Sequence, residues 1–422
     1  MTAESPREFD VVVFGSSGFV GRLVAGHLAR RAPPGLRVAL AGRDRGRIAA
    51  VRDSLGAAAA DWPILVADAA DGAALGDVAA RAGVVATTVG PYAKFGLPLV
   101  GACAAAGTDY ADLTGEVWFV RRSIDAFHAA AAASGARIVH ACGFDSIPSD
   151  LCVLLAWRRA QADGAGPLGD TTLVLRKAKG GFSGGTIDSL RHQLRMEAAD
   201  PAVARLVRDP HALCPDRAAE PAVAPRSFES DLAWPHRDPR LGQWVGPFVM
   251  APFNTRIVRR SHALLERVYG PRFRYREVVG LGGSATAPLK GAILSAALAG
   301  LVAGLRFAPS RLLLDRLLPR PGEGPDRAAR ESGMFALDVV AETASGARYG
   351  TRVAARCDPG YAATAIMLGE SALALALDRG RLPDRAGVLT PAVALGEVLA
   401  DRLRAAGMQF DTAPLPAAAA PG

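Results

Sequence analysis

The chain has 422 residues, of which 50% are hydrophobic and 21% charged, and its 49 Lys and Arg against 41 Asp and Glu give a net charge of +8. This composition is typical of a globular protein of two or three domains and excludes a disordered chain. The basic excess is scattered arginine that forms no stripe with interleaved aromatic residues, so nucleic acid is not expected as a partner.

The cysteines and the N-terminal residues indicate the cellular compartment of the protein. The chain contains five widely spaced cysteines, Cys103, Cys142, Cys152, Cys214 and Cys357. The sequence shows no C-x-x-C pair and no Cys/His cluster, so we predict no metal site and no redox pair. Reduced thiols fit the cytoplasm. The first apolar run, Val11–Phe14, is too short for a signal peptide, and we expect a cytoplasmic protein.

The first predicted element is a strand that runs into a glycine-rich turn. The β-branched run Val11–Phe14 precedes glycines at 15, 18 and 21, and the apolar-periodic segment Phe19–Ala29 follows at once. A strand, a glycine turn and a helix in this order direct the free N–H groups of the helix at an anion, typically a dinucleotide pyrophosphate. We predict that the cofactor contacts Gly15, Ser16, Ser17, Gly18, Phe19, Val20 and Gly21.

The second and third strands predict how the adenosine end is bound. The second strand ends at Gly42 and is followed by Arg43 and Asp44. An acidic residue at this position binds the 2′-hydroxyl of NAD, whereas an arginine suits the 2′-phosphate of NADP. Arg43 therefore favours NADPH, and the adjacent Asp44 keeps NADH as the alternative. Asp68, after the third strand, is either a contact for the adenine amino group or the N-cap of the next helix.

The fourth predicted strand, Val84–Thr88, ends where a doubly wound sheet holds the nicotinamide half of its cofactor. We expect that half to contact Thr88, Val89, Gly90 and Pro91. Several polar side chains follow strands on the same edge, namely Tyr92, Lys94, Tyr110, His140 and Asp145. Tyr92 and Lys94 are the first candidates for stabilising negative charge on the substrate or donating a proton. Cys142 is expected to be a packed thiol.

The pattern along the chain predicts an α/β protein. Residues 1–162 alternate strands and helices, which predicts a Rossmann-type doubly wound parallel sheet. Residues 163–360 contain strands without intervening helices, including a hairpin that turns at Ser345-Gly346, and predict an α+β substrate or oligomerisation domain on a largely antiparallel sheet. This domain leaves a homodimer open. Residues 200–250 are expected to be irregular, and 361–422 to form helices that pack back on the first domain.

An apolar segment lies at Ala287–Leu305, where the fifteen residues between Lys290 and Arg306 carry no charge. A membrane span needs about 20 apolar residues, so we expect a buried or interface helix. The alternative is contact with a membrane surface or an acyl chain. The nearby arginines are expected to form a solvated face, with lipid or carrier phosphates as the alternative contacts; they are Arg306, Arg311, Arg316 and Arg320.

Several motifs together resemble a known family. They are Gly15–Arg22, Ala41–Asp44, Val89–Tyr92, Gly107–Glu116, Gly143–Asp150, Gly181–Thr186 and Gly387–Ala392. With them the chain resembles the saccharopine dehydrogenase-like oxidoreductases, and more narrowly the trans-acting enoyl reductase branch found beside polyketide synthases of mycobacterial lipid assembly. The similarity runs over nearly the whole chain. Ser16-Ser17 replaces the Ala-Thr usual in the family, a change that keeps phosphate binding.

The resemblance implies hydride delivery from NADPH to the β-carbon of an α,β-unsaturated thioester and protonation at the α-carbon. It implies an acyl substrate presented by a polyketide synthase carrier domain, in (glyco)lipid biosynthesis, and a cytoplasmic or peripheral plasma-membrane location. Two alternatives stay open. A saccharopine-type amino-acid dehydrogenase requires arginines that converge on substrate carboxylates in the second domain. A non-enzymatic NADP-binding scaffold on a lipid surface requires no turnover.

Overall fold

The structure is a computed structural model that describes residues 7–180, 184–307, 324 and 326–416. Arg311, Arg316 and Arg320, expected to form a solvated face with phosphate contact as the alternative, lie outside the described residues, as does the first half of the motif Gly181–Thr186.

The N-terminal part alternates strands and helices as predicted. Its strands are β1 (Phe9–Phe14), β2 (Val38–Gly42), β3 (Ile64–Val66), β4 (Ala82–Thr87), β5 (Asp109–Ala111) and β6 (Arg137–Val139), and its helices are α1 (Phe19–Arg31), α2 (Arg45–Ser54), α3 (Gly72–Arg81), α4 (Tyr92–Ala106), α5 (Val117–Ser134) and α6 (Ile147–Ala162). Every residue of β2 is buried, and so is every residue of β1 except Asp10. Strands buried on both faces are typical of a parallel sheet covered by helices.

The middle part is built on a second sheet. Its elements are β7 (Leu168–Lys179), α7 (Gly184–Ala199), α8 (Pro201–Arg208), β8 (His236–Asp238), β9 (Gln243–Pro247), α9 (Ala251–Leu264), β10 (Arg274–Gly282), α10 (Ala287–Arg306), α11 (Arg327–Glu331), β11 (Met334–Thr343) and β12 (Arg348–Ala355). The expectation that residues 200–250 are irregular is wrong in part, because α8, β8 and β9 lie there. Elements of three to eight residues are too short to give a clear periodicity.

The C-terminal part contributes to both sheets. It consists of α12 (Thr364–Leu377), β13 (Gly387–Leu389), α13 (Pro391–Ala405) and β14 (Gln409–Leu415). Only helices were expected here. Strand β13 pairs in parallel with β6, and β14 pairs antiparallel with β12. Both strands depend on partners far away in the sequence, which local patterns do not reveal.

The first sheet is parallel and has the order β13-β6-β5-β4-β1-β2-β3. The strand order reverses between β1 and β4, and ligands of doubly wound sheets bind at the carboxyl ends of the strands at such a point. The second sheet has the order β14-β12-β11-β7-β10-β9-β8, in which only β7 and β10 pair in parallel. The predicted α/β fold, with a parallel sheet and a largely antiparallel one, is confirmed.

Helix α12 connects the regions of the protein that contain the two sheets. It packs against α1, α13 and strands β1, β4 and β5, and eleven of its fourteen residues are buried. Its Glu370 carboxylate is fully buried and lies 2.9 Å from His27 Nε2 on α1 and 3.3 Å from Arg402 Nη1 on α13. Residues of α1, α6, α12, β11 and β12 share one hydrophobic core, so the two sheets are held in one arrangement.

Helix α10 confirms the predicted apolar helix but is less buried than expected. Its buried residues are Ala287, Gly291, Ser295 and Leu305, and the first three lie four apart on one stripe that faces β9 and β10. On the opposite face, Leu289 is 63% and Ile293 61% exposed. The expectation of a buried helix is therefore wrong for this face within the described residues, and the interface and membrane alternatives stay open.

Candidate functional site

The glycine turn after β1 is closed by backbone contacts that only glycine permits. Gly15 has φ +85°, and a Cβ there would lie 2.7 Å from Val89 Cγ2. A Cβ on Gly21 would overlap the carbonyl oxygen of Gly15. The Gly15 N–H donates to Ala41 O at 2.9 Å, which ties the turn to β2. The turn is a cradle in which a ligand meets backbone and not side chains.

The N-terminus of α1 opens into this cradle. Gly18 is its N-cap, no side chain caps the helix, and its first turn contains no acidic residue. The N–H groups of Phe19, Val20 and Gly21 consequently have no intrahelical acceptor. The positive end of the helix dipole adds to them. Uncapped N–H groups with a positive potential fit a pyrophosphate, as in other dinucleotide sites.

The two serines of the turn point in different directions. The Ser16 side chain is fully buried, and its hydroxyl donates to Ala41 O at 3.2 Å. Ser16 therefore holds the turn against β2, which leaves its backbone for the cofactor. Ser17 is part-exposed beside the cradle. The structure thus brings all seven predicted turn residues to one corner, and their contact with a cofactor stays a prediction.

Three exposed arginines follow β2, where the adenosine end of the cofactor is predicted to bind. Arg43 is exposed at the end of β2 and forms no ion pair with a described residue. Asp44 is the N-cap of α2 and accepts the Arg47 N–H at 3.0 Å, so its carboxylate is engaged by the helix. Arg45 and Arg47 are exposed beside Arg43. The alternating Arg-x-Arg-x-Arg pattern of the sequence places these two arginines beside Arg43.

Asp68 lies exposed after β3, and its Oδ1 accepts the Ala70 N–H at 2.9 Å. The N-cap of α3 is Asp71, whose carboxylate accepts the N–H groups of Ala73 and Ala74. The alternative that Asp68 caps this helix is therefore wrong, and its contact with adenine stays a prediction.

The loop after β4 lies against the glycine turn. The Thr88 N–H donates to Phe14 O at 3.0 Å and its hydroxyl donates to Gly15 O at 3.2 Å. Gly90 is exposed, and Pro91 is the N-cap of α4. The residues predicted to contact the nicotinamide half therefore lie beside the glycine turn.

The geometry does not support a catalytic Tyr92. Its hydroxyl donates to Thr87 O at 3.1 Å and accepts the Leu113 N–H at 3.2 Å. The side chain is 5% exposed, and burial raises the pKa of the phenol well above its usual value. Tyr92 thus joins the loop after β4 to the loop after β5. Lys94 is exposed, with Nζ 4.8 Å from the centre of the Phe95 ring, and its role stays a prediction.

Glu116 is a buried residue that the sequence analysis missed. Its carboxylate accepts the N–H groups of Tyr92 at 3.0 Å and Ala93 at 2.8 Å, and so caps α4. The hydroxyl of Ser189 on α7 donates to it at 2.7 Å. Burial raises the pKa of Glu116 against these hydrogen bonds. The sequence shows an acidic residue directly before α5. It does not show that this residue caps α4, which begins 24 residues earlier.

Two other predicted candidates belong to a buried hydrogen-bond network around Asp112. Asp112 Oδ2 accepts the Tyr110 hydroxyl at 3.0 Å and lies 2.7 Å from His140 Nδ1. His140 Nε2 lies 2.7 Å from Ser123 Oγ. All four side chains are at most 1% exposed. Tyr110 and His140 therefore hold the loops after β5 and β6 and do not reach a substrate.

The loop after β6 contains Cys142, expected to be a packed thiol, and the predicted candidate Asp145. Cys142 is fully buried, and burial raises the pKa of its thiol, as expected of a packed cysteine. Asp145 is part-exposed, and a Cβ on Gly115 would lie 3.7 Å from its Oδ2. Burial raises the pKa of Asp145 to about 6. Asp145 and Glu116 thus lie on adjacent loops, which follow β6 and β5.

The second domain contains three buried arginines on α9, and they are used within the protein. Arg256 Nη1 lies 2.9 Å from Asp231 Oδ2, and Arg259 Nη2 lies 3.6 Å from Glu229 Oε1. Arg260 donates to the carbonyl oxygens of Leu213 and Val388. These guanidinium groups do not converge on a cavity, which an amino-acid dehydrogenase would require.

The structure also brings His211, Cys214 and Glu220 within 4.8 Å of one another. The sequence spacing predicted no metal site. Glu220 is paired with Arg267 at 3.0 Å. Burial, and next the charge of Arg259, lower the pKa of His211 to about 4. Cationic neighbours disfavour a bound cation, and we assign no metal here.

Comparisons with known proteins fit this geometry. A family model, the saccharopine dehydrogenase NADP-binding domain, matches residues 11–139. A Mycobacterium tuberculosis protein, named as a candidate trans-acting enoyl reductase, is 52% identical over 417 residues, which cover 98% of this chain and 99% of that protein. The trans-acting enoyl reductase of Mycobacterium ulcerans is 50% identical over 411 residues, which cover 96% and 98%.

A solved structure shows the same fold. Apo saccharopine dehydrogenase (L-Glu forming) from Saccharomyces cerevisiae superposes with a TM-score of 0.55, over 96% of this chain and 99% of that one. The two sequences are 14% identical, so the likeness concerns the fold alone.

The glycine cradle gives a first prediction. Gly21→Ala should weaken NADP(H) binding at least tenfold, about 1.4 kcal/mol, because its Cβ would displace the Gly15 carbonyl. Gly26→Ala on the same helix is the matched control, since its Cβ would meet its nearest neighbours at 3.6 Å. Cofactor titration followed by NADPH fluorescence checks both. Equal affinities for the two variants would contradict the cradle.

Proposed function

We infer the function from the family: the chain belongs to the saccharopine dehydrogenase-like oxidoreductases, in their trans-acting enoyl reductase branch. It is an NADP-dependent oxidoreductase, as predicted. The cradle after β1 fits the cofactor, because its glycines leave room for a pyrophosphate and α1 offers uncapped N–H groups. When bound, the cofactor supplies a hydride.

The proposed reaction is the reduction of the double bond of an α,β-unsaturated acyl thioester. Sequence identity of 50–52% to proteins named for this activity, over nearly the whole chain, carries the proposal. The arginines of α9 favour it over an amino-acid dehydrogenase, because Arg256 is neutralised by Asp231 and Arg260 is held by two carbonyl oxygens. No such cation is left for a second substrate carboxylate on α9.

We further propose that the substrate is carrier-bound. The relatives are named as acting in trans, and an enzyme of that kind receives its substrate from a separate protein. The proposed partner is the acyl carrier domain of a polyketide synthase, and the proposed context is (glyco)lipid or polyketide biosynthesis.

The function is tested by NADPH oxidation at 340 nm with 2-enoyl thioesters of increasing chain length, free and carrier-bound. We expect oxidation coupled to formation of the saturated thioester, detected by mass spectrometry, and a higher kcat/KM for the carrier-bound form. Saccharopine, and 2-oxoglutarate with lysine, are the comparison substrates. Absence of turnover with every enoyl thioester would remove the proposal, and turnover of saccharopine would replace it.

We propose NADPH as the preferred cofactor. Arg43 is exposed and forms no ion pair within the described part of the chain, whereas the carboxylate of Asp44 is engaged as the N-cap of α2. The side chain free to meet the ribose is therefore cationic, and Arg45 and Arg47 add positive charge beside it. A 2′-phosphate carries the complementary charge.

Arg43→Ala should raise the Kd for NADPH at least tenfold and change that for NADH less than threefold. A charge-assisted hydrogen bond contributes about 1.5–3 kcal/mol, and only NADPH offers the phosphate. Arg30→Ala, an exposed arginine at the far end of α1, is the control. Titration calorimetry with both cofactors measures the difference. Equal losses for NADPH and NADH would exclude the phosphate contact.

We also propose that the protein is cytoplasmic and binds peripherally to the plasma membrane through the exposed face of α10. Two described helical segments reach the length and mean hydropathy of a membrane span. Pro359–Leu377 is largely buried in the core, whereas only 17% of the apolar window in Ala287–Arg306 is buried. Leu289 and Ile293 lie on the exposed face of α10, with the cation Lys290 next to them. An apolar face with a basic neighbour suits an anionic lipid surface.

The double variant Leu289→Ser, Ile293→Ser should reduce binding to vesicles of phosphatidylcholine and phosphatidylglycerol at least tenfold, because each buried side chain contributes about 1.5–3 kcal/mol. Leu377→Ser, a change of the same kind at a 43% exposed leucine, is the control. Vesicle co-sedimentation measures the bound fraction. Unchanged binding of the double variant would disprove the contact.

A further inference from the structure

We propose that Asp145 is the proton donor to the α-carbon of the substrate, an assignment that rests on the proposed enoyl reduction. Asp145 follows β6, and the carboxyl ends of β4, β5 and β6 form the edge where the reactive half of a dinucleotide lies in this fold. Its side chain is part-exposed and packs beside Gly115 on the loop after β5. This place adjoins the edge where the reactive half of the cofactor is expected.

The backbone around Asp145 is held on both sides. The Phe144 N–H donates to the Thr364 hydroxyl at 3.2 Å, and the Ser146 hydroxyl donates to Asn254 Oδ1 at 3.2 Å. Thr364 begins α12 and Asn254 lies on α9, so the residues flanking Asp145 are attached to different parts of the protein. A catalytic acid must be fixed relative to its substrate, and these bonds fix the main chain.

The carboxyl group of Asp145, in contrast, is not engaged. No described residue donates a hydrogen bond to it or forms an ion pair with it. Glu116, on the adjacent loop, already accepts three hydrogen bonds. The Tyr92 hydroxyl is used by two backbone groups, and His140 is enclosed with Asp112. Asp145 is the acidic group of this edge that keeps its proton-transfer capacity for a ligand.

The environment of Asp145 also suits an acid. Burial alone raises its pKa to about 6. The ionisable residues of the adjoining loop, Asp112 and Glu116, are both buried and hydrogen-bonded, and the tethers Thr364 and Asn254 are neutral. At pH 7 a carboxyl group of pKa about 6 is protonated in about one molecule in ten, against about one in a thousand for an ordinary aspartate. A raised carboxyl pKa is a usual property of a general acid.

The proposed step is balanced as follows. The β-carbon gains a hydride from the bound cofactor, and the electron pair of the C=C bond moves to the α-carbon and the thioester oxygen. The O–H bond of the Asp145 carboxylic acid then breaks as a C–H bond forms at the α-carbon. The resulting carboxylate regains a proton from water, which its part-exposed position permits.

Asp145→Asn should lower kcat for an enoyl thioester at least 100-fold, the usual size of a general-acid effect. Its Kd for NADPH should stay within twofold. Asp145→Glu, which restores an acid, should recover part of the rate. Asp61→Asn makes the same chemical change at an exposed carboxylate and is the matched control.

The pH profile separates an acid from a structural group. The rate requires protonated Asp145, so kcat of the wild-type protein should fall about tenfold per pH unit above the pKa of about 6. The residual rate of Asp145→Asn should lack this decline. If the wild-type protein turns over and the kcat of Asp145→Asn is within threefold of the wild-type value, the assignment of Asp145 is overturned but the proposed reaction is not. The same holds if the variant keeps the pH profile of the wild type. No wild-type turnover would overturn the proposed reaction and this assignment together.

A measurement independent of turnover completes the test. Infrared difference titration of the protein with and without bound NADP+ should show a carboxyl band with a midpoint near pH 6 that is missing in Asp145→Asn. Burial raises the pKa of Asp150 and Glu277 to about 7, and their bands should remain in the variant. Identical titrations of wild type and variant would refute the raised pKa on which the role as an acid depends.

Discussion

The candidate site depends on one buried carboxylate, that of Asp112. It accepts the N–H groups of Thr114 and Ala141, at 3.1 and 3.0 Å, besides its side-chain partners Tyr110 and His140. A buried charge is tolerated only where such bonds satisfy it. The loops after β5 and β6 are therefore joined at a point where neither moves without breaking several hydrogen bonds. Glu116 and Asp145 lie on these two loops.

The acidic residues Asp112, Glu116 and Asp145, on the loops after β5 and β6, have different roles. Asp112 binds loop to loop, and Glu116 caps α4 while it holds Ser189 of the second domain. Both have their acceptor oxygens engaged, which makes them rigid parts of the cleft. Asp145 lies between two residues that are held by hydrogen bonds, and no described residue donates a hydrogen bond to its carboxyl group.

The middle and C-terminal parts of the chain support the site through the shared hydrophobic core. Helix α12 lies against the parallel sheet, and Glu370 joins it to α1 through His27 and to α13 through Arg402. Because one apolar core covers α1, α6 and the strands β11 and β12, moving the domains apart would expose it to water. The tethers of the Asp145 loop, Thr364 and Asn254, come from this same assembly.

The sequence by itself determined the parallel sheet, the glycine turn after β1, a dinucleotide as the cofactor and the apolar helix α10. These follow from local physics: β-branched runs form buried strands, and Gly21 is required where a helix starts against the turn it leaves. The sequence also named Asp145 but ranked it below Tyr92. Only the tertiary structure shows that the Tyr92 hydroxyl is already engaged, because the Leu113 N–H that it accepts lies 21 residues further along the chain. The Tyr92 hydroxyl accepts the Leu113 N–H, the Glu116 carboxylate accepts an N–H group at the start of α4, and strand β13 pairs with β6. Hydrogen-bond satisfaction is set by such distant pairs, which no local pattern encodes.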